Sequence, residues 1–193
     1  MSSFAYDVTF LQRGIPELQS YLLSNEIYWP LGLATPTGGT PYPRMTLGWL
    51  LLAKARARGW VDANRVSSQA NQLESLAREL DQVRARWRVA WNKKAAQEFS
   101  SRLKLWADFL NEYRGDKAAH ARRYGYEVQR RVMLDLLAGE ADPIPKPESD
   151  LLQGMDSFLR AALKPGAFVW EEELTGTFPP ESYWYLYGNL PTK

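Results

Sequence analysis

The 193-residue chain offers few side chains that could carry out chemistry, and their numbers already exclude several kinds of site. It contains no cysteine and a single histidine, His120. A disulfide framework, a thiol nucleophile, a zinc finger and any metal site built from two imidazoles are therefore excluded. Catalysis would have to rely on carboxylates, hydroxyls, amines or backbone groups.

The remaining groups show no catalytic or metal-binding pattern. His120 has no cysteine or second histidine with which to form a general base pair or a ligand set. Asp108 and Glu112 have helical i, i+4 spacing. They lack the accompanying Glu-x-x-His sequence that a di-metal carboxylate bundle requires. We therefore expect a non-enzymatic protein without a cofactor or metal ion.

Tryptophan is unusually frequent, with eight residues in the chain. Four of them follow an arginine by three or four positions: Arg56/Trp60, Arg84/Trp87, Arg88/Trp91 and Arg102/Trp106. Such residues are neighbours on a helix, so a guanidinium could lie over an indole ring. Two interpretations stay open: arginine stems packed along the edge of a core, or a stacking surface for single-stranded nucleic acid.

Charge is segregated along the chain although the net charge is only +2. Residues 81–131 carry a net charge of +7, and residues 140–193 carry −5. A basic helical surface is typical of proteins that bind phosphate backbones. A solvated face, partly neutralised by the acidic C-terminal segment, explains the same pattern. No known DNA- or RNA-binding motif accompanies it.

A long run without helix breakers predicts the central helices, because no glycine or proline lies between Gly59 and Gly115. Apolar residues recur in this run at the three- and four-residue spacing of an amphipathic helix. From Val83 to Leu103 the spacing is five consecutive fours. Each such step rotates the apolar stripe by about 40° around the helix. The run therefore either breaks near residues 91–94 or belongs to an elongated or oligomeric molecule.

Breakers and caps predict the flanking elements. We expect helices over residues 16–24, 46–58, 117–138 and 147–164, with Gly115 ending one helix and Asp116 capping the next. Residues 30–43 are rich in glycine and proline and are predicted to form a loop. The aromatic segment after residue 166 is predicted to be extended and to pack across the helices.

The predicted fold is mainly α: a helical bundle or long helical hairpin with extended, aromatic-rich terminal segments. We expect a single domain, with a helical core over residues 45–164, an N-terminal arm over 1–44 and a C-terminal tail over 165–193. The start of the chain has no positively charged leader, and its longest strongly apolar run, residues 47–53, is far shorter than the roughly 20 residues that span a bilayer. We therefore expect a cytoplasmic protein that does not contact a membrane.

The favoured function is a helical interaction or scaffold protein that binds a protein partner or a second copy of itself. Tryptophan and tyrosine, both frequent in this chain, are enriched at interface hot spots. The candidate interaction surface consists of Arg84, Arg86, Trp87, Arg88, Trp91, Lys93, Lys104, Trp106, Arg122 and Arg123. The first alternative is nucleic-acid binding through residues 81–131. The second is a small-molecule binder or enzyme with an aromatic-lined pocket.

Overall fold

A computed structural model describes residues 3–36, 39–64, 67–141 and 143–193, and within these ranges the protein is mainly α, which confirms the predicted fold class. The helices in chain order are α1 (Phe4–Gly14), α2 (Leu18–Leu23), α3 (Leu47–Asn64), α4 (Ser67–Arg86), α5 (Arg88–Gly115), α6 (Lys117–His120), α7 (Tyr124–Glu127), α8 (Gln129–Ala138) and α9 (Lys146–Ala162). Two short strands, β1 (Lys164–Phe168) and β2 (Tyr187–Asn189), form an antiparallel pair.

The central helical run is interrupted at Trp87, four residues before the predicted break at residues 91–94. Trp87 leaves helical geometry, with φ −113° and ψ 32°. Its N–H still donates to the carbonyl of Val83 at 2.9 Å, and its carbonyl accepts from Trp91 at 2.8 Å. The interruption is therefore a one-residue bend. Residues 65 and 66 of the same run lie outside the described residues.

The consecutive four-residue spacings lie mostly within α5, which contacts different helices along its length. Its first half meets α2 and α3, and its second half meets α8 and α9. A stripe that rotates around the helix suits this arrangement, because each half buries a different face. The rotating stripe is therefore explained by the packing of α5 against several helices, and not by an elongated molecule.

Two predicted helices differ from those of the structure. The predicted helix 46–58 continues through Gly59 to Asn64 as α3. The predicted helix 117–138 is divided into α6, a short 3₁₀ turn, α7 and α8. Gly125 lowers the helix propensity near the division, and tertiary contacts determine where the segment is helical. The predicted cap is present, since the Asp116 carboxylate accepts from the N–H of Ala119 at 3.0 Å.

The core lies between α1, α3, α5 and α8 and extends to both terminal segments. Half of the fully buried aromatic side chains in this set come from α5, and the others come from α1, α2, α7 and the C-terminal segment: Phe10, Tyr21, Trp91, Phe99, Trp106, Phe109, Tyr113, Tyr124, Phe178 and Tyr185. The C-terminal segment packs across the helices as predicted. Phe178, Tyr185 and Leu186 within it are all fully buried.

A charged cluster fixes that C-terminal segment to α8 and α9. The Arg131 guanidinium donates to both carboxylate oxygens of Asp156, each at 2.8 Å, and lies 4.7 Å from the ring centroid of Tyr185. The Tyr185 hydroxyl donates to Asp135 at 2.5 Å, and the Tyr185 carbonyl accepts from the Tyr124 hydroxyl at 2.6 Å. Burial raises the pKa of Tyr185 well above its ordinary value, so this hydroxyl stays protonated and donates.

Within the described part of the chain, no helix combines the length and the apolar character needed to cross a membrane.

Candidate functional site

Two of the tryptophans assigned to the candidate interaction surface belong to the core. Trp91 and Trp106 are both 0% exposed. The Trp91 indole N–H donates to the Glu140 carboxylate at 2.9 Å. These residues are therefore removed from the surface, because a buried ring cannot meet a partner. Spacing alone could not separate them from Trp87, which is half-buried at the bend.

The guanidinium groups meet indole rings in other combinations than the predicted pairs. Arg56 and Arg102 both lie near the Trp49 ring, at 6.0 and 5.8 Å from its centroid. Arg86 lies 5.8 Å from its immediate neighbour Trp87. None of the four predicted pairs forms a cation–π contact among the described residues. Helix packing brings Trp49 to the two arginines, and sequence spacing carries no such information.

Five of the thirteen Lys and Arg side chains of residues 81–131 are paired with described carboxylates. Arg84 lies 2.7 Å from Glu140, and Arg123 lies 2.6 Å from Glu127. The other paired cations are Arg102 with Glu98, Arg130 with Glu127, and Arg131 with Asp135 and Asp156. Pairing with Glu140, Asp135 and Asp156, which lie outside residues 81–131, neutralises part of the net charge of +7.

A group of unpaired cations lies next to the bend at Trp87. Arg86, Arg88 and Lys93 are exposed, and none of them forms an ion pair with a described carboxylate. Lys104 and Arg122, also exposed and without a described ion pair, lie further along the chain on α5 and after α6. The structure thus assembles part of the candidate surface.

These cations border a groove between the end of α2 and the start of α5, with a volume of about 520 Å³. Its apolar lining includes Trp87, Leu23 and Val89, the last two 58% and 84% exposed. Its charged lining residues are Arg86, Arg88, Lys93 and Lys94, and none of the described carboxylates lines it. We call this feature the α2–α5 groove. It combines exposed apolar side chains with a positive rim.

Lys94 fixes the α2 side of the groove. Its ammonium donates to the carbonyls of Ser24 and Glu26 at 2.8 and 2.9 Å and lies 4.7 Å from the Tyr21 ring centroid. Burial lowers the pKa of Lys94, while Glu26 and Glu98, which do not line the groove, act in the opposite direction. The carbonyl partners hold the ammonium in place and leave the groove positive.

A second cavity, of about 740 Å³, lies between the N-terminal half of the chain and the segment after β1. Five aromatic rings from different elements line it: Tyr6, Tyr42, Trp49, Tyr126 and Trp170. We call it the aromatic cavity. It has the size and the mostly apolar lining of a small-molecule site.

A buried ion pair lies at the wall of the aromatic cavity. Arg56 lines the cavity and is 6% exposed, and Asp7 is 0% exposed. Nε and Nη2 of Arg56 both donate to Oδ1 of Asp7, at 3.2 and 2.6 Å. Burial raises the pKa of Asp7 to about 6, although the adjacent Arg56 acts to lower it.

A third polar cluster, at the start of α3, is structural. The Glu98 carboxylate accepts from the N–H of Gly48 at 3.0 Å and from Arg102 at 2.7 Å. Arg102 also donates to the Thr46 hydroxyl at 2.9 Å. All of these side chains are buried. They satisfy each other and the helix terminus, and no substrate could reach them.

The histidine and carboxylates weighed in the sequence do not form a metal site. Nδ1 of His120 lies 3.4 Å from the Glu112 carboxylate on the surface. No group of three or more potential metal ligands is present in ranges 3–36, 39–64, 67–141 and 143–193. His120 and Glu112 both lie at the surface and do not have the enclosed surroundings of a catalytic centre.

Comparisons of the chain with protein-family models, curated proteins and solved structures give no significant match. The functional argument therefore rests on the α2–α5 groove and the aromatic cavity.

Proposed function

We propose that this protein is a non-enzymatic interaction protein that binds an acidic, amphipathic segment of a protein partner in the α2–α5 groove. The observation that carries the proposal is the lining of the groove. Leu23, Trp87 and Val89 lie beside four cations, and no described carboxylate lines the groove. A segment with apolar residues on one face and carboxylates at its edges complements both features. We also propose that the protein is cytoplasmic.

The exposure of Val89 next to a second exposed apolar side chain supports a protein partner that covers both. Val89 is 84% exposed and Leu23 is 58% exposed on the same groove. Single exposed apolar residues are ordinary, but clustered ones beside a half-buried tryptophan are typical of a binding surface. The first turn of α5 thus presents an anchor position within a positive rim.

The charge distribution favours an acidic peptide over nucleic acid. The exposed cations of the groove without a described ion pair are Arg86, Arg88 and Lys93, which lie close together around the bend at Trp87. A nucleic-acid strand would need a longer positive track with several stacking rings. Among these lining residues, Trp87 is the aromatic one, and its ring already lies near Arg86.

The proposal is tested with a fluorescent helical peptide of about 14 residues, or four turns, carrying leucine on one face and glutamate elsewhere. Binding is measured by fluorescence anisotropy. We expect the glutamate peptide to bind, a lysine-for-glutamate version not to bind, and the affinity to fall as salt is raised.

Variants locate the binding to the groove. Val89→Asp should abolish peptide binding, and Lys93→Glu should weaken it about tenfold, because an attraction becomes a repulsion worth about 1–2 kcal/mol in all. Lys104→Glu is the matched control, since it makes the same charge change at an exposed site on the same helix outside the groove. Its affinity should stay within about twofold of the unaltered protein.

Three results would overturn the proposal. The first is equal binding by the Val89→Asp variant. The second is binding of a single-stranded oligonucleotide, lost in Lys93→Glu, without binding of the peptide, which would favour the nucleic-acid alternative. The third is self-association in sedimentation equilibrium that Val89→Asp removes, again without peptide binding. That result would make a second copy of the chain the occupant.

A further inference from the structure

The aromatic cavity is separate from the α2–α5 groove, and no residue lines both. We propose that it binds an uncharged, planar aromatic molecule that carries a carbonyl acceptor, with Arg56 as the donor to that carbonyl. This inference assigns a small-molecule site to the protein and does not depend on the proposed peptide partner.

The walls of the cavity are held in place before any ligand arrives. Tyr6 and Tyr42 are stacked, with ring centroids 4.3 Å apart and planes 11° apart. The Tyr6 hydroxyl donates to the Pro41 carbonyl at 2.9 Å. The Trp170 indole N–H donates to the Gly125 carbonyl at 3.0 Å. Parallel rings fixed in this way provide a preformed wall for a third planar ring.

Arg56 supplies the polar contact. Its Nε and Nη2 both donate to Oδ1 of Asp7, and Nη1 donates to no described residue. Arg56 is more than nine-tenths buried and lines the cavity. Nη1 is therefore the donor available to a molecule inside it. A small number of fixed polar groups in an apolar lining is the usual arrangement for recognising one orientation of a ligand.

The charge of the site favours a neutral acceptor. Asp7 compensates the Arg56 guanidinium at 2.6 Å, so the pair has no net charge to attract a carboxylate. An organic cation has no acceptor for Nη1 of Arg56, which can only donate. A ring amide or similar carbonyl accepts that hydrogen bond without adding a charge.

The experiment compares three ligands with the same ring: 2-naphthamide, 2-naphthoate and 2-naphthylmethylammonium. Binding is followed in the full-length protein by the ¹H–¹⁵N resonances of the tryptophan indoles. We expect the amide to bind tightest and to shift the resonances of Trp49 and Trp170, which line the cavity. The resonance of the buried Trp91 should not shift.

Two variants test the assignment of residues. Tyr126, 61% exposed at the cavity, can be changed to alanine without disturbing the core, and Tyr126→Ala should weaken the amide about three- to tenfold. Leu151→Ala is the matched control, because Leu151 is 50% exposed and lies outside the cavity. Arg56→Lys keeps the charge but removes Nη1, so it should weaken binding of the amide and leave the ammonium the weaker ligand.

The proposal fails if none of the ligands shifts the Trp49 and Trp170 resonances at millimolar concentration, or if the ammonium binds tightest. It also fails if Tyr126→Ala and Leu151→Ala have equal affinity. Should Arg56→Lys not fold, the ligand series and the Tyr126/Leu151 pair still decide. Neither readout depends on the peptide assay, so the two proposals can fail independently.

Discussion

The buried charged side chains that the structure describes are bonded to ions or to carbonyls, and the pairing of Asp7 is incomplete. Its Oδ1 accepts both bonds from Arg56, whereas its buried Oδ2 accepts none. An unsatisfied buried acceptor costs free energy, and the cost is larger when the group is charged. Desolvation accordingly dominates over the attraction of Arg56 and raises the pKa of Asp7 to about 6.

This raised pKa predicts how stability depends on pH. Between about pH 4 and 6 the folded protein holds a proton on Asp7 that the unfolded chain has released. The contribution to stability is therefore fully present below pH 4 and is lost as the pH rises through 6. The shift from 3.8 to about 6 corresponds to about 3 kcal/mol.

The measurement is urea unfolding between pH 4 and 7. The unaltered protein should lose about 3 kcal/mol of unfolding free energy relative to Asp7→Asn over this range, because the amide does not titrate. Asp108→Asn, at an exposed site on α5, is the control and should follow the unaltered protein. Parallel pH profiles for Asp7→Asn and the unaltered protein would contradict the assignment.

At the scale of the elements, two helical glycines have different packing environments. A Cβ at Gly48 would lie 2.6 Å from Oε1 of Glu98 and 3.2 Å from Nε of Arg102, so the approach of α3 to α5 requires a glycine. A Cβ at Gly154, in the middle of α9, would meet nothing within 4 Å. The sequence shows only that both positions are glycine, and the packing distinguishes them.

Alanine at the two positions should therefore have opposite effects. Gly154→Ala should stabilise the protein by up to about 1 kcal/mol, since alanine has the higher helix propensity. Gly48→Ala should destabilise it by about 1–3 kcal/mol, because the added methyl displaces the Glu98 and Arg102 side chains. Chemical denaturation measures both changes. Stabilisation by Gly48→Ala would show that α3 and α5 are not packed as described.

At the scale of the whole molecule, the C-terminal segment is part of the core. Leu174, Phe178, Tyr185 and Leu186 are all fully buried, although the segment has little regular secondary structure. The Arg131 cluster ties it to α8 and α9. Its aromatic rings contact each other in edge-to-face pairs, such as Phe178 with Trp170 at 5.3 Å and with Tyr183 at 5.0 Å.

Loss of one ring from this segment should therefore cost as much as loss from a central helix. Phe178→Ala should reduce the unfolding free energy by about 3–5 kcal/mol, through lost burial and the cavity left behind. Leu151→Ala, at a half-exposed site on α9, should change it by less than about 0.5 kcal/mol. Thermal and urea unfolding compare the two variants. A small effect of Phe178→Ala would mean that the segment is detachable.

The fold class and several helix boundaries could be predicted from the sequence, because these features follow from local chemistry. The breaker-free run predicts the central helices, and Asp116 and Pro147 mark helix starts through capping and a fixed φ angle. The absence of cysteine and the single histidine exclude whole classes of site. The aromatic character of the C-terminal segment predicts that it packs on the helices.

The burial of single side chains, the ion pairs and the cavities depend on tertiary structure, because they bring together residues that are distant in sequence. Apolar spacing does not distinguish Trp91, which is buried, from Trp87 at the groove. Charge counting does not reveal that Arg131 meets Asp156, or that the cations near Val89 have no described carboxylate partner. The aromatic cavity draws its rings from separate segments, and only their packing against each other brings them to one site.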